Sequence, residues 1–210
     1  HISTDEVFGS LKKDSARETD RFNPSSPYSS SKASAELLVM SYVKTYGIKA
    51  IITRCTNNFG PRQHAEKLIP RIILFAQKNK KIPIYGSGKA VRDWIFVKDH
   101  CNAIIKVSLK GKWGESYNIS ANNEINNLVI VKKILKILGK PSNMFIHTED
   151  RPGHDFRYSM DSSKIRTELD WENRVKFDEG LKKTVDWYLS NRNWWKNIVK
   201  DSLNQTPWKN

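Results

Sequence analysis

Lys49-Ala50-Ile51-Ile52-Thr53-Arg54-Cys55 is a short, nearly continuous apolar run, and it breaks into Thr56-Asn57-Asn58-Phe59-Gly60-Pro61. A run of that length, bounded by turn residues, predicts a buried strand with a polar loop at its carboxyl end. Upstream, Ser26-Pro27 has the form of a helix cap with proline in the first turn, Ala33, Leu37 and Met40 recur at helical spacing, and Gly47 stops the pattern. A helix over 27–46 leading into a strand buried on both faces predicts helices packed on a largely parallel sheet.

Working outward, residues 1–8 read as the end of a strand entering a polar loop, and 10–26 as a loop. Downstream the same reading predicts helices over 67–78, from an Asp99 cap to Leu109, over 128–138, and near 162–169 and 178–190. Strands are expected at 82–85, 94–97 and 116–119, and a polar loop at 150–155. In open parallel sheets, ligands bind beyond the carboxyl ends of the strands. That directs attention to Ser3–Gly9 and Thr56–Gln63. The Trp187–Trp195 tail reads as packing and docking.

Composition narrows the classes. The chain has 210 residues, 38% hydrophobic and 28% charged, enough apolar content for a core. No apolar run reaches the roughly 20 residues that span a bilayer. Two cysteines without paired spacing, Cys55 and Cys101, predict a reduced, cytoplasmic protein without a zinc site. A net charge of +14 raises nucleic-acid binding. The lysines, however, are scattered along amphipathic segments such as Val131-Lys132-Lys133-Ile134-Leu135-Lys136, the pattern of a solvated helix face. Neither a nucleic-acid nor a membrane partner is expected.

Two constellations carry chemistry. Tyr28 and Lys32 stand four residues apart, on one helical face. A phenol with its usual pKa near ~10 is a poor base at neutral pH, and a neighbouring ammonium is expected to lower it. Taken alone, this spacing is common. Upstream, Thr4-Asp5-Glu6 places adjacent carboxylates at the end of a strand. Carboxylates in different surroundings can divide into an acid and a base, which is what elimination of water beside a carbonyl requires. The plainer alternative for such a pair is a solvated turn or a helix cap.

The runs His1–Gly9, Pro27-Tyr28-Ser29-Ser30-Ser31-Lys32-Ala33, Thr53–Pro61, Glu66–Pro70, Pro83–Gly86, Val91–Trp94, Tyr117–Ile119 and Asp150–Asp155, in this order, resemble the extended short-chain dehydrogenase/reductase family. The Asp5-Glu6 pair is similar to its 4,6-dehydratases, those acting on dTDP-glucose. The resemblance implies an α/β fold with a Rossmann-like parallel sheet and a smaller C-terminal substrate-binding lobe. Residues 1–61, with segments near 91–120, would form the later part of the NAD-binding domain, and 62–210 mainly the nucleotide-sugar lobe. The family's glycine-rich strand–loop–helix for NAD has no counterpart here, so the chain is expected to be the later portion of a longer enzyme and inactive by itself.

The resemblance also implies roles. Tyr28, helped by Lys32, takes the proton of the sugar 4-hydroxyl, and Thr4 hydrogen-bonds that oxygen. Glu6 removes the C5 proton and Asp5 protonates the departing C6 hydroxyl. Tyr28, Lys32 and Asn58 contact NAD. Asn57, Lys67, Leu68, Pro83, Tyr85, Arg92, Asn127, Asp150, Arg151 and His154, with Thr4, contact the nucleotide sugar. A homodimer formed through the Tyr28 helix is implied too. Alternatives within the family are a UDP-glucose 4,6-dehydratase, an epimerase or a decarboxylase. Plainer readings of single residues are an Arg92–Asp93 surface ion pair, a solvated helix start at Lys67 and loop punctuation at His154.

Overall fold

The structure, a computed structural model, describes residues 1–150 and 152–196. The chain divides into two compact units. The first is built from residues 1–58, 91–124 and 153–175, and the second from 59–90, 125–152 and the segment from 176 onward. Residues 153–175, assigned above to the later lobe, therefore fold with the first unit.

In the first unit, strands β1 (Ile2–Thr4), β2 (Ile52–Cys55) and a strand at Ser116–Ile119 form a parallel sheet with β2 in the centre. All four residues of β2 are buried, the polar Thr53 and Arg54 among them. Strand β3 (Asn57–Phe59) follows at once, where the sequence suggested only loop. It belongs to a second sheet with β5 (Val91–Phe96) and β7 (Glu124–Asn126). In chain order β4 is Ile82–Tyr85, β6 is Ser116–Ile119 and β8 is Phe145–Thr148. Ile51, Cys55, Ile95, Ala103, Val107, Tyr117, Ile119, Ile165, Leu169 and Trp171 form the main core of this unit.

Helix α1 (Pro27–Tyr46) has the expected bounds. The Ser26 hydroxyl accepts from the Ser29 amide at 3.1 Å, and the Ser29 hydroxyl accepts from the Ser26 amide at 3.0 Å, closing a reciprocal cap. Only Ser29, Ala33 and Glu36 of this helix are buried, while Leu37, Leu38, Tyr42 and Tyr46 face outward. Helix α3 (Val97–Lys110) starts earlier than expected. Asp99 lies inside its first turn, and its carboxylate accepts the Val175 amide at 2.9 Å instead of capping the helix.

Glu36 and Arg54 join α1 to β2. Arg54 Nε and Nη2 donate to the Glu36 carboxylate at 2.6–3.1 Å, with both side chains at most 5% exposed. The guanidinium also lies 5.1 Å from the Phe8 ring centre and 5.2 Å from that of Phe22. Glu36→Ala would leave this guanidinium buried without its carboxylate. The expected cost is about 3–5 kcal/mol, read as a lower urea midpoint.

The second unit packs α2 (Leu68–Gln77), α4 (Asn127–Ile137) and α6 (Phe177–Ser190) on one another. Strands β4 and β8 pair in parallel, with Pro83 opposite Ile146. The lysines of α4 point outward while Ile130, Val131, Ile134 and Leu135 are buried, as the amphipathic pattern predicted. Among the described residues there are two shorter α-helices as well, α5 (Ser163–Leu169) in the first unit and α7 (Arg192–Lys196) in the second. In the aromatic tail Trp187 meets Tyr188 and Trp194 edge-on, and Trp195 is buried with its Nε1 donating to the Tyr188 carbonyl at 2.9 Å. Among the described residues, no helix is long and apolar enough to cross a membrane, and no cluster of ligating side chains fits a metal ion.

Candidate active site

Strand β1 ends at Thr4, and the chain turns at once into a short 3-10 helix, Asp5–Phe8. Thr4 makes this turn possible. Its hydroxyl accepts from the Glu6 amide at 3.3 Å and donates to Asp5 Oδ1 at 3.1 Å. Gly9 ends the turn at φ +68°, where a Cβ would stand 2.1 Å from the Asn23 carbonyl oxygen, so only glycine fits. Thr4 lies in register with Cys55 on β2, which places the first residues after both strands side by side.

Asp5 is 4% exposed. Burial and the adjacent Glu6 carboxylate push its pKa up to about 7, against the pull of Thr4 and Arg92. The raised pKa favours the protonated carboxyl over the ionised one. Tyr28, in the first turn of α1, is 55% exposed. Burial of the rest of its ring and the charges of Glu6 and Asp5 raise its pKa above the usual phenol value, opposed by a hydrogen bond with Thr4. The expected lowering by Lys32 is not what this arrangement produces. Lys32 Nζ donates to the Ile2 carbonyl at 2.7 Å, while the phenol faces two carboxylates.

Asn57 and Asn58 follow β2. Asn58 Nδ2 donates to Cys55 Sγ at 3.0 Å and to the Thr56 carbonyl at 3.3 Å. Asp5 Oδ2, Thr56 Oγ1 and Asn57 Oδ1 are buried and have no hydrogen-bond partner among the described residues. Polar atoms so placed, beyond the carboxyl ends of parallel strands, fit a polar ligand that would satisfy them. Arg92 and Asp93 do not form the surface pair considered above. Both are buried, Asp93 accepts from Ser120 and the Ala121 amide at 2.8 Å each, and Arg92 reaches other carbonyls. His154 stands half-buried in the first unit, next to Asp155. The first unit thus brings together Thr4, Asp5, Glu6, Tyr28, Lys32, Asn57, Asn58 and Arg92.

The second unit holds Lys67, Leu68, Pro83, Tyr85, Asn127 and Asp150. Arg151 lies outside the described residues. Pro83 and Tyr85 project from the same face of β4. Asn127 opens α4 and its Oδ1 is buried without a partner among the described residues. Gly86, at φ +55°, leaves room for Asp150, whose Oδ2 would lie 2.5 Å from a Cβ there. Lys67 is 60% exposed and pairs with Glu66 at 3.0 Å, matching the plainer reading of a solvated helix start.

One residue of this unit escaped the sequence reading. Arg71 is 6% exposed, and its Nη1 donates to the Tyr85 hydroxyl while its guanidinium lies 5.4 Å from that ring. The available signal was a lone charge inside the apolar stretch Leu68–Ala76. Asp155 and Tyr158 in the first unit were missed as well, and nothing in their spacing marks them.

Comparison with known proteins finds relatives along most of the chain. A family model described as GDP-mannose 4,6 dehydratase matches residues 1–184. The chain is 46% identical over 215 aligned positions to a dTDP-glucose 4,6-dehydratase of Neisseria meningitidis, covering 96% of this chain and 61% of that protein. The crystal structure of a dTDP-glucose 4,6-dehydratase from Bacillus anthracis in complex with NAD superposes with a TM-score of 0.91 at 47% identity, over 94% of this chain and 63% of that one. The Streptomyces venezuelae dTDP-glucose 4,6-dehydratase, solved with NAD bound, gives 0.93 at 42% identity, over 94% and 62%. The chain spans about 60% of the length of the curated relatives it matches. With its Rossmann-like parallel sheet and a family match over most of its length, this chain belongs to the GDP-mannose 4,6-dehydratase family.

Proposed function

We propose that the protein carrying this chain dehydrates dTDP-glucose to dTDP-4-keto-6-deoxyglucose, with NAD held throughout the turnover. The observation that carries this reading is Asp5, a buried carboxyl next to Glu6 at the carboxyl end of a parallel strand, whose Oδ2 has no hydrogen-bond partner among the described residues and whose pKa burial and Glu6 push up to about 7. Such a group can give up a proton near neutral pH, as a general acid must. The preference for dTDP-glucose is supported by the relatives named above, which are dTDP-glucose 4,6-dehydratases.

In this reading Tyr28 accepts the proton of the 4-hydroxyl, and Thr4 steadies the same oxygen. With a carbonyl at C4, the C5 proton becomes acidic and Glu6 removes it. Asp5 gives its proton to the C6 hydroxyl, which departs as water. NAD supplies, when bound, the acceptance and return of hydride that leaves the whole reaction redox-neutral. Tyr28, Lys32 and Asn58 would hold its reactive end, and the unsatisfied polar atoms of Asp5, Thr56 and Asn57 fit a polar ligand in that place. Asn57, Arg92 and His154 of the first unit, and Lys67, Leu68, Pro83, Tyr85, Asn127, Asp150 and Arg151, bind the nucleotide sugar. Arg92 suits the diphosphate through its planar, multi-donor guanidinium. A homodimer belongs to the same reading, supported by the outward Leu37, Leu38, Tyr42 and Tyr46 of α1.

The test is turnover of dTDP-, UDP- and GDP-glucose by the full-length protein, followed by the chromophore of the 4-keto product in alkali. Product from dTDP-glucose is expected. Turnover of UDP-glucose with none of dTDP-glucose would overturn the substrate assignment.

A further inference from the structure

Residues 155–161 form a strap within the first unit. On one side, the Leu11 amide donates to the Arg157 carbonyl at 3.0 Å and the Ala16 amide to that of Ser159 at 3.0 Å. On the other, the Val91 amide donates to the Phe156 carbonyl at 2.8 Å. The strap is fastened further by Arg157, which makes two 2.7 Å bonds to Glu124.

Arg92 is seated on this strap. Its Nη1 donates to the carbonyls of Val91 at 2.7 Å and Phe156 at 3.1 Å, and Nη2 to that of Asp155 at 2.7 Å. The guanidinium carbon lies 4.2 Å from the centre of the Tyr158 ring, a close cation–π contact. Tyr158 is 7% exposed, and its hydroxyl donates to Asp155 Oδ2 at 2.7 Å. The same oxygen accepts the hydroxyl of Ser25. Ser25 directly precedes the Ser26 cap of α1 and stands three residues before Tyr28. Burial, Asp155 and Glu6 all raise the Tyr158 pKa, so it remains a neutral donor.

We propose that Asp155 and Tyr158 are positioning residues for the reaction. One carboxylate oxygen fixes the Tyr158 ring, which sets the plane in which Arg92 meets the diphosphate of the substrate. Through Ser25 the same oxygen fixes the entry of the helix that carries Tyr28. The inference rests on Arg92 as a diphosphate ligand. The ring, 4.2 Å from the guanidinium carbon, completes a seat whose other contacts are three carbonyls, so losing it costs attraction and loosens the orientation of Arg92.

The test uses the full-length protein and measures dTDP affinity by calorimetry, thymidine affinity by ligand-observed NMR, and KM and kcat with dTDP-glucose. Tyr158→Leu is expected to weaken dTDP about tenfold while thymidine binding stays as in wild type. Tyr158→Phe keeps the ring and is expected to weaken dTDP less than about threefold. Ser25→Ala is expected to lower kcat several-fold at unchanged KM, and Asp155→Ala to move both constants. A general structural role would weaken dTDP and thymidine alike, and that result overturns the proposal. So does wild-type dTDP affinity in a folded Tyr158→Leu protein. If wild type binds dTDP but leaves dTDP-glucose unchanged, the dehydratase assignment fails, and the dTDP series still decides the role of Tyr158.

Discussion

Tyr28→Phe in the full-length protein is expected to lower kcat for dTDP-glucose by about 10²–10⁴-fold, the range typical of losing a positioned proton-transfer group. The fold should be indifferent to the change. Tyr28 is 55% exposed, and the cap of α1 is made by Ser26 and Ser29. Burial and the charges of Glu6 and Asp5 raise the phenol, so it is protonated at neutral pH, while Asp5, pushed up to about 7, loses its proton as the medium becomes alkaline; the two changes oppose each other in the wild-type rate. Unchanged circular dichroism with abolished turnover is the expected pair of results. Dehydration that survives the substitution would remove Tyr28 from the reaction.

Asp5→Asn should act on activity and stability in opposite directions. The folded protein raises Asp5 from 3.8 to about 7, so keeping it ionised in the fold is costly. Between those values the native state binds more protons than the unfolded chain, and stability falls as pH rises. The penalty is absent below about pH 4 and complete above about pH 7. An amide carries no such charge. Asp5→Asn is therefore expected to be more stable than wild type by on the order of 2–4 kcal/mol at pH 8, with the gap closing on acidification. His100, which burial holds at about 4, opposes this trend in both proteins and cancels in their difference. Dehydration should fall about 10²–10⁴-fold, because the amide has no proton to give the leaving hydroxyl. Equal thermal midpoints at pH 8 would show that Asp5 is not under this strain.

Several of these features were legible in the sequence. Ser26-Pro27 and Gly47 bounded α1 because capping and termination are local chemistry. Lys49–Cys55 gave the central strand because burial on both faces demands an apolar run. Thr4-Asp5-Glu6 and Tyr28 stood out as candidate reacting groups through the family resemblance, since the spacing alone is common. The environment that tunes them was not. That Asp5 is raised and Lys32 turns to the Ile2 carbonyl depends on contacts made across the sheet. Strands β3, β7 and β8 were missed because three or four mixed residues take strand form only when a neighbour supplies the ladder. Asp155 and Tyr158 meet Ser25 and Arg92 from more than 60 positions away, and no local pattern announces such a meeting.

The first unit is stitched from three separated stretches, 1–58, 91–124 and 153–175. During synthesis the ribosome delivers the intervening stretches 59–90 and 125–152 before the last piece of that unit exists. Its β1–β2 pairing can form early, yet the seat of Arg92 and the tie to Ser25 must wait for residues 155–158 to emerge. Contacts this distant along the chain make folding slow and leave unfinished surface open to aggregation. Chaperone demand should therefore fall sharply once residue 175 has cleared the exit tunnel, late in the making of a unit whose candidate site residues Thr4, Asp5 and Glu6 were among the first of these residues to be translated.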